Sequence, residues 1–264
     1  MRVLLFANNW VGWKVAAWLR EQGEEIVGLV LHPPSKRKLG EELMESAGVP
    51  PERTFDGSTL RSSGVPEAIR ALGAQIGVSA LFGYLLTPEI VAPLPGGCVN
   101  VHPSYLPYNR GQYPNVWSIV ERTPAGASLH YLDEGVDTGD LIARREVPVE
   151  PIDTGESLYR KLESTCLELF QEYWPDLRNG RAPRAPQDRG GTHHRTRDVE
   201  RIDAIDLDRE YRARELIDVL RARTFRPYPG AYFEEGGRRV YLRLELSYGE
   251  RPAPAGEGGH AGKL

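Results

Sequence analysis

Two side chains, two residues apart, define the chemistry this chain could carry: Asn100 and His102 in the run Cys98-Val99-Asn100-Val101-His102-Pro103. Gly96-Gly97 precede the run and Pro103 follows it, and its apolar, β-branched residues read as a short strand. Alternation along a strand puts Asn100 and His102 on one face, about 7 Å apart at the backbone. Pro103 ends the ladder and biases His102 towards extended backbone. An amide and an imidazole placed in this way suit addition–elimination at a carbonyl. The amide can donate to a developing oxyanion, and the imidazole can pass a proton near neutral pH. The same pair also reads as a turn-capping amide and a hydrogen-bonded histidine at the sheet edge, so spacing alone leaves both uses open. A second polar cluster, Asp133-Glu134-Gly135-Val136-Asp137-Thr138-Gly139-Asp140, adds carboxylates. It lacks the ligand spacing of a twelve-residue calcium loop, and no metal is expected.

The elements that must position these residues read as an α/β protein. Arg2–Ala7 is a continuous apolar strand of the kind buried on both faces of a parallel sheet. Asn8 to Gly12 turns it into a helix reaching Glu21, and Glu25–Leu31 is the next strand. This opening lacks G-x-G-x-x-G, so a dinucleotide cofactor is not supported. Helices are expected over 39–47 and 66–72, and a buried strand over 75–80. A short helix should start at Thr87-Pro88, with Thr87 as its cap. After the Asn100/His102 strand, the pattern predicts a helix over 111–121, strands over 127–132 and 141–147, and a helix capped by Thr154 running to Tyr173. The fold expected is a Rossmann-like, mostly parallel sheet with helices on both faces, plus a small C-terminal α+β subdomain. Residues 1–178 form the main domain, 179–200 a solvated Pro/Gly/Arg-rich connector, 201–248 the subdomain and 249–264 a disordered tail. The subdomain should hold a helix over 208–223 and a hairpin turning at Gly236-Gly237.

Composition sets the outer bounds. The 264 residues are 40% hydrophobic and 27% charged, with a formal net charge of −4. That balance gives no electrostatic case for nucleic acid as a partner. No apolar run is long enough to cross a bilayer, and the start moves directly into a folded pattern too short for a signal peptide. Cys98 and Cys166 are the only cysteines, so there is no disulfide framework or four-ligand zinc site. The expected location is cytoplasmic.

Arg2–Ala7, Phe82–Leu86, Asn100–Gly111 and Asp133–Asp140, taken in order, resemble the folate-dependent formyltransferase family. Its members include glycinamide ribonucleotide formyltransferase, methionyl-tRNA formyltransferase and the amino-sugar N-formyltransferases. The run from Asn100 to Pro107 matches that family's Asn-x-His-Pro-Ser-x-Leu-Pro signature, and Asp133 to Asp140 matches its second. The resemblance implies Asn100, His102 and Asp137 as catalytic residues, with Asp133 and Asp140 shaping the loop or contacting the pterin side. It implies that Phe82, Gly83, Tyr84, Leu85 and Leu86 grip the pterin of N10-formyltetrahydrofolate. Pro107–Trp117 and Arg221–Phe233 look most like the amino-sugar enzymes, which implies a nucleotide-linked amino-deoxysugar as acceptor. Arg110 would then be a phosphate or carboxylate contact, or a structural arginine holding its loop. Asn9, Trp10 and Tyr228 would stack on or bond the sugar nucleotide. A methionyl-tRNA formyltransferase with a reduced C-terminal domain and a formyltetrahydrofolate hydrolase are the alternatives. The small C-terminal piece suggests a homodimer.

Overall fold

Short apolar runs between turn residues become the strands, and the amphipathic stretches joining them become helices. The computed structural model describes residues 1–249. Its first half runs β1 (Arg2–Ala7), α1 (Trp10–Glu21), β2 (Glu25–Leu31), α2 (Gly40–Ala47), β3 (Thr54–Asp56), α3 (Val65–Ala71), β4 (Ile76–Ala80), α4 (Pro88–Val91) and β5 (Cys98–His102). It continues with β6 (Arg110–Gly111), α5 (Pro114–Val120), β7 (Gly126–Tyr131), β8 (Leu141–Glu146) and α6 (Gly155–Arg178). The remainder is β9 (His193–His194), α7 (Glu200–Asp203), α8 (Ala213–Ala222), β10 (Tyr232–Glu235) and β11 (Arg238–Tyr241).

One sheet has the order β3-β2-β1-β4-β5-β7-β8. The first five of these strands pair in parallel, and β7 and β8 extend the sheet antiparallel. Alternation along β1 feeds two cores. Val3, Leu5 and Ala7 pack with α1, α2 and α6, while Leu4 and Phe6 pack with Ile69 of α3 and Ile90 of α4. The Rossmann-like sheet covered on both faces is therefore present. Strand order reverses between β1 and β4, and ligands of open α/β sheets bind beyond the carboxyl ends at such a switch point. The turn after β1, the segment after β4 and the end of β5 all lie there. No helix among the described residues is long and apolar enough to cross a membrane.

Asn9 caps α1, its side chain accepting from Gly12 N at 3.3 Å. Thr154 and Ser157 form a reciprocal capping box on α6. Thr87 makes no side-chain cap bond to α4, which is instead opened by Pro88. α6 runs to Arg178 rather than Tyr173, passing through Pro175; buried Trp174 holds this last turn to the core, and Asn179 Nδ2 donates to Pro175 O at 2.7 Å. α5 and α8 start later than their sequence patterns, at Pro114 and Ala213. In the hairpin β10–β11, Gly236 and Gly237 have φ of 56° and 73°, the mirror-type two-residue turn that matches strand twist.

The stretch 179–200, largely exposed, is also pinned to the main domain by backbone pairing. Ala185 and Leu141 exchange backbone hydrogen bonds at 2.8 and 3.0 Å, and β9 pairs in parallel with β6. These partners are far apart in sequence, so no local pattern reveals the pairing. The expected disordered tail lies, beyond Gly249, outside the described residues.

Candidate active site

β5 carries Asn100 and His102 on one face, and antiparallel β7 sets His130 opposite Asn100 and Ser128 opposite His102. The loop after β7 brings in Asp137. Asp133 shapes that loop, its Oδ1 accepting from Gly135 N at 3.0 Å and Thr138 Oγ1 at 2.7 Å. Asp137 sits in the left-handed region at φ 54°, where Asp is among the few tolerated side chains. Its Oδ1 accepts from Asn100 Nδ2 at 3.2 Å and its Oδ2 from Gly111 N at 2.9 Å. His102 Nε2 lies 3.6 Å from Oδ2, and His130 Nε2 lies 3.5 Å from Oδ1. The structure thus gathers Asn100, His102 and Asp137 around one carboxylate, with His130 as a fourth member.

Hydrogen-bond partners assign the imidazole tautomers. His130 Nδ1 donates to Tyr131 O at 2.8 Å, so its Nε2 accepts from Asn100 Nδ2 at 3.2 Å. Both N–H groups of the Asn100 amide are therefore engaged, one by His130 and one by Asp137. His102 Nε2 faces two acceptors, Asn109 O at 3.4 Å and the Asp137 carboxylate. That nitrogen carries the proton, leaving Nδ1 with the lone pair.

Burial by itself pushes the Asp137 carboxyl up. The adjacent His102, together with the Gly111 N–H, outweighs it and holds the group well below the usual carboxylate range. Burial pushes His102 below the usual imidazole range; Asp137 opposes this and His130 reinforces it. At neutral pH the centre is an ionised carboxylate beside a neutral imidazole. Such a pair can accept a proton on the ring and stabilise the cation that results.

Asn100, His102 and Asp137 line one cavity of about 1050 Å³, room for more than a single drug-sized ligand. Phe82, Gly83, Tyr84, Leu85 and Leu86 form part of its wall, as do Asp133, Asn9 and Tyr228. Lys38 Nζ donates to the Tyr228 hydroxyl at 2.9 Å on the same wall. Among the described residues, the N–H groups of Phe82, Tyr84, Leu85 and Leu86 make no backbone hydrogen bond, and Gly83 N reaches only His32 Nε2 at 3.4 Å. The cavity therefore offers unpaired backbone polar groups next to aromatic and aliphatic surface, a fit for a flat heteroaromatic ring.

Three expected contacts lie off this wall. Trp10 opens α1 and packs against the core on that side of the sheet. Asp140 turns to Arg184, 3.4 Å away. Arg110 is tied to its surroundings, its guanidinium donating to Asp137 O, to Gln187 Oε1 and to Gly190 O. Two residues of the centre, His130 and Gln187, have no place in the sequence motifs, and the part played by the Gly111 N–H was not read from its motif. For His130 a signal existed, since Ser128 and His130 are the polar members of an otherwise apolar strand, alternating in step with His102 and Asn100. Among the described residues, no group of three or more His, Cys, Asp or Glu side chains is placed to hold a metal ion.

Comparison with known proteins agrees with this geometry. A family model described as formyl transferase matches residues 1–172, and one described as an N-formyltransferase dimerization C-terminal domain matches residues 198–248. A dTDP-4-amino-4,6-dideoxyglucose formyltransferase of Mycobacterium bovis is 34% identical over 159 residues, covering 60% of this chain and 68% of that protein. A methionyl-tRNA formyltransferase of Symbiobacterium thermophilum is 32% identical over 251 residues, covering 91% of this chain and 74% of that protein. A solved formyltransferase from Anoxybacillus kamchatkensis, in complex with UDP-4,6-dideoxy-4-formamido-L-AltNAc and tetrahydrofolate, is 29% identical with a TM-score of 0.57 over 76% of this chain and 89% of that one. With the sheet, the Asn100–His102–Asp137 centre and the cavity beside it all in place, the chain belongs to the formyl transferase family.

Proposed function

We propose that this enzyme moves a formyl group from N10-formyltetrahydrofolate to the primary amine of a nucleotide-linked amino-deoxysugar. The observation that carries the reading is the convergence of a neutral imidazole, an ionised carboxylate and an amide donor on a cavity whose lining also has unpaired backbone groups. The folate, when bound, supplies a formyl carbon open to attack by nitrogen. Phe82 to Leu86 would hold its ring through those backbone N–H and C=O groups. His102 Nδ1 takes the proton that the acceptor amine must lose and can return it to the departing nitrogen. Asp137 stabilises the imidazolium and fixes the tautomer that makes Nδ1 basic. Asn100 turns one N–H from Asp137 or His130 towards the carbonyl oxygen as charge gathers there, a charged oxygen being the stronger acceptor.

Two features favour a sugar nucleotide as acceptor. A net charge of −4 offers little attraction to tRNA phosphates. Asn9, Lys38 and Tyr228 also line the cavity, and the Lys38 ammonium is suited to a diphosphate. The exposed apolar residues of 198–248 support a homodimer, and two buried free cysteines suit a reducing cytoplasm.

The deciding experiment incubates the enzyme with N10-formyltetrahydrofolate and a panel of nucleotide-linked 3- and 4-amino-deoxysugars, with charged initiator tRNA as a separate arm. Mass spectrometry should find a formyl gain on a sugar. Formylation of the tRNA alone, or formate release with no acceptor modified, would overturn the assignment.

A further inference from the structure

Asp137 is held in a positive-φ conformation in the loop after β7, where the bonds of Asp133 go to Gly135 and Thr138 rather than to Asp137 itself. The restraint comes from Arg110, whose Nε donates to Asp137 O at 3.2 Å, and from residues 185–194. Gln187 Nε2 donates to two carbonyls of the loop, Asp137 O at 2.8 Å and Gly139 O at 2.8 Å. Gln187 Oε1 accepts from Arg110 Nη2 at 2.7 Å and Nε at 3.2 Å. Two carbonyls on one side and a guanidinium on the other admit only one amide orientation. The same stretch also reaches the Asp137 side chain, because β9 pairs with β6 and so places Gly111, whose N–H binds Oδ2 at 2.9 Å. His194 anchors β9 by stacking on Trp117, with ring centroids 4.1 Å apart and planes within 9°.

We propose that Gln187 is a positioning residue for formyl transfer, clamping the backbone of Asp137 so that its carboxylate meets Asn100 and His102. The inference rests on the catalytic role proposed for Asp137 and goes beyond it, since Gln187 does not itself line the cavity and acts through the Asp137 backbone. A glutamine is required rather than an isosteric acid, because a carboxylate has no N–H to give the two carbonyls.

The test uses the full-length enzyme with Gln187→Glu and Gln187→Leu. One arm needs no substrate: carbon-13 carboxylate titration of aspartate-labelled protein, the Asp137 signal being identified by its loss in Asp137→Asn. With the clamp gone, the Asp137 titration should rise by about one pH unit or more, as its donors fall out of register. The kinetic arm should show kcat reduced on the order of 10- to 100-fold, with KM for both substrates within about twofold. An Asp137 titration that does not move in either variant would overturn the proposal, whatever happens to melting temperature. So would kcat equal to wild type. Failure of the wild-type enzyme to formylate any sugar would count against the acceptor assignment alone, because the titration arm does not depend on it.

Discussion

At the scale of single residues, the centre depends on one amide and one imidazole sharing a carboxylate. Asn100→Ala removes the donor intended for the carbonyl oxygen and releases Asp137 Oδ1 and His130 Nε2 together. Steady-state kinetics should show kcat down on the order of 100- to 1000-fold. Asp137→Asn should cost roughly as much and also move the pH profile. Asp137 is the neighbour that raises His102 against burial, so removing its charge lowers the imidazole pKa. The acid limb of the residual activity should then shift to lower pH. Stability follows the same sign rule. His32 is held at about 4 by burial and by Lys36 and Lys38, and His102 is lowered as well. Below the unfolded imidazole value of about 6.5 the unfolded chain binds more protons than the native one, so stability is full above that pH and falls towards the folded pKa. Urea midpoints should therefore drop between pH 7 and 5, and His32→Gln should flatten the drop. Asn100, His102 and Asp137 were legible in the sequence because each lies in a compact local motif. His130 left only the faint signal of a polar alternation with Ser128, and Gln187 left none, because their roles depend on which strands and loops become neighbours.

At the scale of elements, long apolar runs were read correctly. β1, β2 and β5 have the spans their residues imply, because a buried strand of five to seven residues is mostly side-chain pattern. β3, β6 and β9 have only two or three residues each, too few for any periodicity to show. The expected helix over 111–121 lost its first turn because Arg110–Gly111 is taken by β9 from eighty-odd residues downstream. Gly111 shows how closely the two segments meet. Its φ is +88°, and a Cβ there would lie 2.3 Å from His194 O. Gly111→Ala therefore combines left-handed strain with a backbone clash, a cost of roughly 1–3 kcal/mol. The β6–β9 pairing should yield first. Hydrogen exchange should accelerate across 185–194 well before the main sheet responds, and activity should fall with it through the lost Gly111–Asp137 bond. Unchanged exchange in that stretch would show that the pairing contributes little to holding the centre.

At the scale of the whole molecule, the distribution of uncovered apolar surface carries information. Among the described residues, the large hydrophobics exposed to solvent fall into two groups. Leu85, Tyr113 and Tyr228 line the cavity, where ligands would cover them. The others lie beyond residue 200: Leu207 at 58% exposure, Ile217 at 45%, Val240 at 41%, Tyr241 at 47%, and Tyr248. Scattered apolar side chains are ordinary on a protein surface, but concentration in one small segment is the pattern of an interface. That segment matches a family model named for dimerization. α8 buries only Asp218, Arg221 and Ala222, and one short helix with a two-stranded hairpin is too small to build a core of its own. A second copy of the chain would supply the missing cover. Sedimentation at micromolar concentration should find a dimer, and its melting temperature should rise with protein concentration, because association stabilises only the folded chain. Replacing Ile217 and Tyr241 by Asp should give a monomer with a lower, concentration-independent melting temperature and the Asn100–His102–Asp137 centre intact. The catalytic groups and the residues that clamp them come from 100–194, so dissociation should lower stability more than kcat. A wild-type monomer across that range would leave those side chains without a purpose in self-association.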